Sequence, residues 1–94
     1  MNDVTIYTKF GCGYCHLAKK LLESKGVAYT EHDVTFDRAR RQEMIERSGG
    51  KTTVPQIFIG ATHVGGSDEL RALEAAGRLD ALLEGRHAAQ GGPS

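Results

Sequence analysis

Two residues in this chain of 94 stand out as able to do covalent chemistry: Cys12 and Cys15, its only cysteines, separated by Gly13 and Tyr14. A thiol attacks another sulfur only as its thiolate, so a reactive cysteine needs surroundings that favour negative charge. Cys12 has such a setting. It falls where a helix should begin, and the unpaired N–H groups and dipole of a helix start favour an anion. Lys9, three residues earlier, adds positive potential. Cys15 lies one turn further on, within reach to attack a mixed disulfide formed at Cys12 and close an internal disulfide. The spacing therefore assigns Cys12 as nucleophile and Cys15 as resolving thiol. Facing Ala18 and Leu22, Cys15 should be shielded and keep a higher pKa.

Other chemistries share this spacing. A Cys-x-x-Cys pair is half of a tetrahedral zinc site, but His16, His32, His63 and His87 do not pair at finger spacing. Cys12-Gly13-Tyr14-Cys15-His16 also spells the haem-attachment pattern, which would want an export signal and a mostly helical wrap. A purely structural disulfide is disfavoured in a reducing compartment, and a secreted disulfide scaffold would carry more cysteines at wider spacings. Redox catalysis is the reading that the two thiols favour.

The elements that must position these thiols are legible in order. Val4 to Thr8 reads as a strand, followed by a Lys9-Phe10-Gly11 loop. The spacing of Ala18, Leu21 and Leu22 predicts a helix over 15–25, stopped by Gly26. Val27 to Val34 reads as a second strand whose charged residues suit a sheet edge. Asp37 is placed to cap a second helix with Met44 and Ile45 inward, ended by Ser48-Gly49-Gly50. Thr53 to Gly60 reads as a buried strand, and Thr62-His63-Val64 completes a hairpin. Ser67 or Asp68 is expected to cap a last helix carrying Leu70, Leu73, Leu79, Leu82 and Leu83, with Gly77 a break. This order, βαβαββα, predicts an α/β fold with a mixed sheet.

Length and charge narrow the function. Ninety-four residues suit one domain, expected over 1–84, with a polar tail over 85–94. Lysine and arginine balance aspartate and glutamate at 12 each, so no overall field draws the chain to nucleic acid or an anionic membrane. Aromatic residues are few and not interleaved with basic ones, which disfavours a base-stacking platform. No apolar run approaches a membrane span or a signal-peptide core, so the expected compartment is the cytosol.

Taken together, Cys12-Gly13-Tyr14-Cys15, Thr53-Val54-Pro55 and Gly65-Gly66-Ser67-Asp68 resemble a dithiol glutaredoxin, in the family's order, from about Val4 to Leu83. The resemblance implies a thioredoxin-like fold, a four-stranded mixed sheet with helices on both faces. It also implies an enzyme that reduces protein disulfides and glutathione mixed disulfides with electrons from glutathione. By the same resemblance Pro55 is cis and faces the dithiol, and the Val54 backbone pairs with glutathione like an added strand. Lys9 and Lys51 meet its glycine carboxylate, and Thr53 lines the groove. Gly66, Ser67 and Asp68 hold the γ-glutamyl end, while Tyr14 packs over the site. The implied partners are glutathione and disulfide-containing or glutathionylated proteins, with the chain acting as a monomer.

One departure from the family pattern is Gly13, where many dithiol members have proline. Proline at the first helical position fixes φ, whereas glycine leaves the helix start looser. Some members without that proline hold a [2Fe-2S] cluster between two protomers through the nucleophilic cysteine and glutathione, which makes a cluster carrier the alternative. A thioredoxin-like reductant fed by a flavoprotein reductase is a further alternative. Thioredoxins typically carry tryptophan beside the dithiol, and this chain has none.

Overall fold

The structure is a computed structural model that describes residues 2–85. The expected tail beyond residue 85 lies outside the described residues. Eight elements follow in order: β1 (Val4–Thr8), α1 (Gly13–Ser24), β2 (Thr30–Asp33), α2 (Arg38–Arg47), β3 (Gln56–Ile59), β4 (Thr62–Gly65), α3 (Ser67–Ala75) and α4 (Leu79–Leu83). The strands form one mixed sheet in the order β2-β1-β3-β4. β2 runs parallel to β1, with Ile6 opposite Glu31, while β3 is antiparallel to β1, with Ile6 opposite Ile57. β4 closes the other edge as the return arm of a hairpin with β3.

Alternation along the central strands sends side chains to two different layers. Val4 and Ile6 of β1 and Ile57 and Ile59 of β3 pack with Ala18 and Leu22 of α1, Leu70 of α3, and Leu79 and Leu83 of α4. Tyr7 and Phe58 face the other way and meet Met44 of α2 and Val34, the residue after β2. Helices thus cover both faces, three on one and α2 on the other. The α2 face is more polar. There Arg47 lies 4.2 Å over the Phe58 ring and donates to the Tyr7 hydroxyl at 2.9 Å, while that hydroxyl donates to Glu43.

Two boundaries differ from the sequence expectation. The second strand spans only Thr30–Asp33, because Val27 and Tyr29 turn toward the core before pairing begins. The third strand starts at Gln56 rather than Thr53. Pro55 has no N–H to give to a ladder, and the Gln56 side chain donates back to Thr53. The last helix breaks at Gly77, as its sequence suggested, into two helices: Gly77 adopts φ +71° and the Arg78 N–H returns to the Leu73 carbonyl at 2.9 Å. The element order is therefore βαβαββαα. Ser67 and Asp68 are not the cap of α3 either. Gly66 holds that position and Ser67 is already helical.

Candidate functional site

The site is assembled from three chain segments at one end of the sheet. The first is the β1–α1 loop. Cys12 sits at the N-cap of α1 with extended backbone (φ −93°, ψ 110°), and its sulfur accepts the Cys15 N–H at 3.2 Å. A sulfur thus replaces the usual side-chain oxygen of an N-cap, and a helix N–H points at it. The Cys12 thiol also reaches the Val54 carbonyl at 3.9 Å. Cys12 is partly exposed, whereas Cys15 is buried and points inward with Ala18 and Leu22. Burial, reinforced by the hydrogen bond with Cys12, pushes the Cys15 thiol up to about 12. At neutral pH Cys15 is a protonated thiol beside an accessible sulfur, so the two cysteines are chemically unlike although only two residues separate them.

The second segment runs from the end of α2 to β3. Ser48 is buried and fixes the turn, its hydroxyl accepting the Lys51 N–H at 3.0 Å and donating to the Lys51 carbonyl at 3.3 Å. Thr53 follows, its carbonyl and hydroxyl accepting from the Gln56 amide at 3.0 and 3.2 Å. The Val54–Pro55 peptide is cis, and Pro55 is buried. Val54 lies outside the β3 ladder, with its carbonyl toward Cys12. Gln56 is held in turn by His63 of β4, ring nitrogen to amide oxygen at 2.7 Å, and His63 stacks on Phe58.

The third segment is the β4–α3 junction. Gly65 has φ +114°, a conformation that favours glycine, and the Glu69 side chain packs 3.0 Å from where a Cβ would stand. Glu69 accepts the Gly66 N–H at 2.7 Å, which makes one half of a capping box; Gly66 has no side chain to make the other. The Ser67 hydroxyl is buried with no hydrogen-bond partner among the described residues. Asp68 is exposed and pairs with Arg71 at 2.8 Å.

Between these segments runs an open groove of about 590 Å³. Its walls bring together Tyr14, Lys51, Thr53, Val54, Pro55, Gly66, Ser67 and Asp68, widely separated in the chain. Lys9 is not among them. It lines a second depression, together with Cys12 and Cys15 themselves, His16, Lys19 and Asp33. Sequence reasoning missed Ser48, Gln56, His63 and Glu69. Gln56 had a signal, a polar residue opening an otherwise apolar buried strand. Glu69, three residues after the cap, had another. Ser48 and His63 had none, since their roles depend on contacts made across the fold. Among the described residues no three His, Cys, Asp or Glu side chains group as a metal site. Within one chain Cys12 is the accessible sulfur that a cluster could use.

The arrangement can hold an extended ligand against the Val54 backbone, which lies outside the β3 ladder, with one end near a lysine and the other at a helix N-terminus. Both ends suit carboxylates. A sulfur in the middle of that ligand would come to Cys12.

Comparison with known proteins agrees with this geometry. The family model described as Glutaredoxin matches residues 4–64. Glutaredoxin 3 of Escherichia coli K12 is 58% identical over 84 residues, covering 89% of this chain and all of that protein. A solution structure of glutaredoxin from Brucella melitensis superposes with a TM-score of 0.77 at 55% identity, covering 88% of this chain and 89% of that one. A buckwheat glutaredoxin–glutathione complex gives a TM-score of 0.79 at 30% identity, covering 88% and 77%.

Proposed function

The chain belongs to the glutaredoxin family, with the thiol–disulfide oxidoreductase role of that family, and on this premise we propose that glutathione is its reductant. Its substrates are glutathione mixed disulfides and protein disulfides. The observation that carries the reading is the groove, which runs from Val54, whose carbonyl lies 3.9 Å from the sulfur of Cys12 in the neighbouring depression, to the N-terminus of α3. A glutathione-bound relative of the same fold, from buckwheat, supports it.

In this reading glutathione lies extended beside Val54, its backbone pairing with the Val54 backbone as an added strand. Lys51 faces its glycine carboxylate. At its γ-glutamyl end the carboxylate meets the first-turn N–H groups of α3 and the Ser67 hydroxyl, and the ammonium meets the Asp68 carboxylate. Lys9, on the far side of Cys12, acts through its charge on the sulfur rather than as a wall of the groove. Gln56 and His63 position Thr53 without touching the reacting atoms.

The Cys12 thiolate attacks the glutathione sulfur of a mixed disulfide. The bond between glutathione and substrate breaks, and the substrate leaves as a thiolate that takes up a proton. A second glutathione thiolate then attacks the Cys12-bound glutathione, releasing oxidised glutathione and regenerating Cys12. With a protein disulfide, Cys12 attacks first and Cys15 displaces the substrate, closing an internal disulfide that two glutathiones reopen. Because Cys15 is held protonated, it must lose its proton as it attacks. The single-cysteine route is then sufficient for mixed disulfides, and the protein works as a monomer in a reducing, cytosolic setting.

The test is glutathione-dependent reduction of a glutathione mixed disulfide by the wild type, Cys12→Ser and Cys15→Ser. Cys12→Ser should be inactive and Cys15→Ser active. An inactive wild type would overturn the proposal in favour of a cluster carrier or a reductase-fed reductant.

A further inference from the structure

Large apolar side chains exposed singly on a surface need no explanation, but a set gathered around a reactive atom does. Among the described residues the exposed large apolar side chains are Phe10, Tyr14, Leu17 and Phe36. Tyr14 and Leu17 lie on α1 either side of Cys15, and Phe10 lies two residues before Cys12. Phe36 is distant in sequence but not in the fold. The Phe10 N–H donates to the Thr35 hydroxyl at 2.7 Å, which ties the β2–α2 loop to the β1–α1 loop. Thr35 is held in turn by Asp33, whose carboxylate accepts its N–H at 2.9 Å. Two phenylalanines, 87% and 96% exposed, are thus carried on loops joined to each other beside the dithiol.

Phe10 belongs to the flank that glutathione leaves free, and Phe36 adjoins it through Thr35. The groove assigned to glutathione does not include Phe10; the second depression does, and it is continuous with Cys12 itself. Charge does not select a partner there. Lys19 pairs with Glu31 at 3.0 Å, and among the lining side chains two lysines, Lys9 and Lys19, balance two carboxylates, Glu31 and Asp33. Apolar contact is what this flank offers. Every disulfide substrate must bring its sulfur to this end of the molecule, so the residues next to that sulfur are the segment such a surface would meet.

We propose that Phe10 and Phe36 form a specificity subsite for apolar side chains flanking the oxidised cysteine of a protein substrate. The proposal rests on the glutathione-dependent reading above. A substrate with leucine beside its cysteine gains contact with the two rings, and one with serine does not. Apolar contacts of this size discriminate about tenfold.

The experiment compares two glutathionylated peptides that differ only in carrying Leu or Ser on both sides of the cysteine. Wild type and the Phe10→Ser/Phe36→Ser double variant are assayed with glutathione, with the mixed disulfide of glutathione and 2-mercaptoethanol as a small control substrate. The wild type should favour the Leu peptide by about tenfold in kcat/KM. The double variant should lose that preference while turning over the small control substrate as the wild type does. Equal turnover of the two peptides by the wild type, or a preference kept by the variant, overturns the subsite while glutathione-dependent activity stands. A wild type inactive on the small control overturns both readings.

Discussion

At the scale of single residues, the division of labour between the two cysteines comes from burial. Cys12 caps a helix and stays open to partners, whereas Cys15, one turn on, is enclosed by the α1 core face and titrates at about 12 instead of 9.0. This has a consequence for stability. The folded pKa lies above the unfolded one, so the buried thiol has no effect on stability below about pH 9. As pH rises from 9.0 toward 12 the unfolded chain ionises Cys15 first, and the folded state loses stability progressively. Urea melts of reduced wild type and reduced Cys15→Ser across this range should therefore diverge, with the wild type falling more steeply. Parallel curves would show that Cys15 titrates as it does in the unfolded chain. The reactive pair was plain in the sequence because two cysteines on one helical turn have few other uses. His63 was not, since its tie to Gln56 requires the β3–β4 hairpin to exist before the two side chains can meet.

At the scale of elements, the sequence placed strands and helices well wherever side chains and backbone agreed. Asp37 was legible as a cap, and its carboxylate accepts the Arg40 N–H at 3.0 Å. Replacing it with alanine removes that bond and should cost about 1 kcal/mol, read as a lower urea midpoint with an unchanged slope. Loss of much less would mean that another group caps α2. The strand expected from Thr53 failed at Pro55, where the side chains looked strand-like but the backbone had no donor to pair. The cap expected at Ser67 failed for a related reason. Residue type favoured serine, but Gly66 already occupies the extended N-cap position, and Glu69 satisfies its N–H. Ser67 is left with a buried hydroxyl in the wall of the groove, a feature of tertiary structure that no local pattern carries.

At the scale of the whole molecule, the sheet divides an apolar layer from a mixed one. Leu22 is fully buried in the apolar layer, among residues from both central strands and the three helices on that face. Leu22→Ala should cost about 2–5 kcal/mol, because transfer energy and a residual cavity add. Thermal unfolding would measure it, and a change below 1 kcal/mol would mean that the layer collapses around the gap. The other layer is thinner. Met44 is the buried residue of α2, which is held for the rest by Ile45 and by the polar contacts of Glu43 and Arg47 with Tyr7. Elements with few buried apolar contacts open locally at lower cost than the global unfolding energy. In amide hydrogen exchange, α2 should thus lose its protons through local opening before α1 does. The turn at Ser48 that presents Lys51 hangs directly from the end of α2. A ligand gripped by that turn would be linked to the opening of the helix behind it, so glutathione should slow exchange along α2, a segment outside the groove.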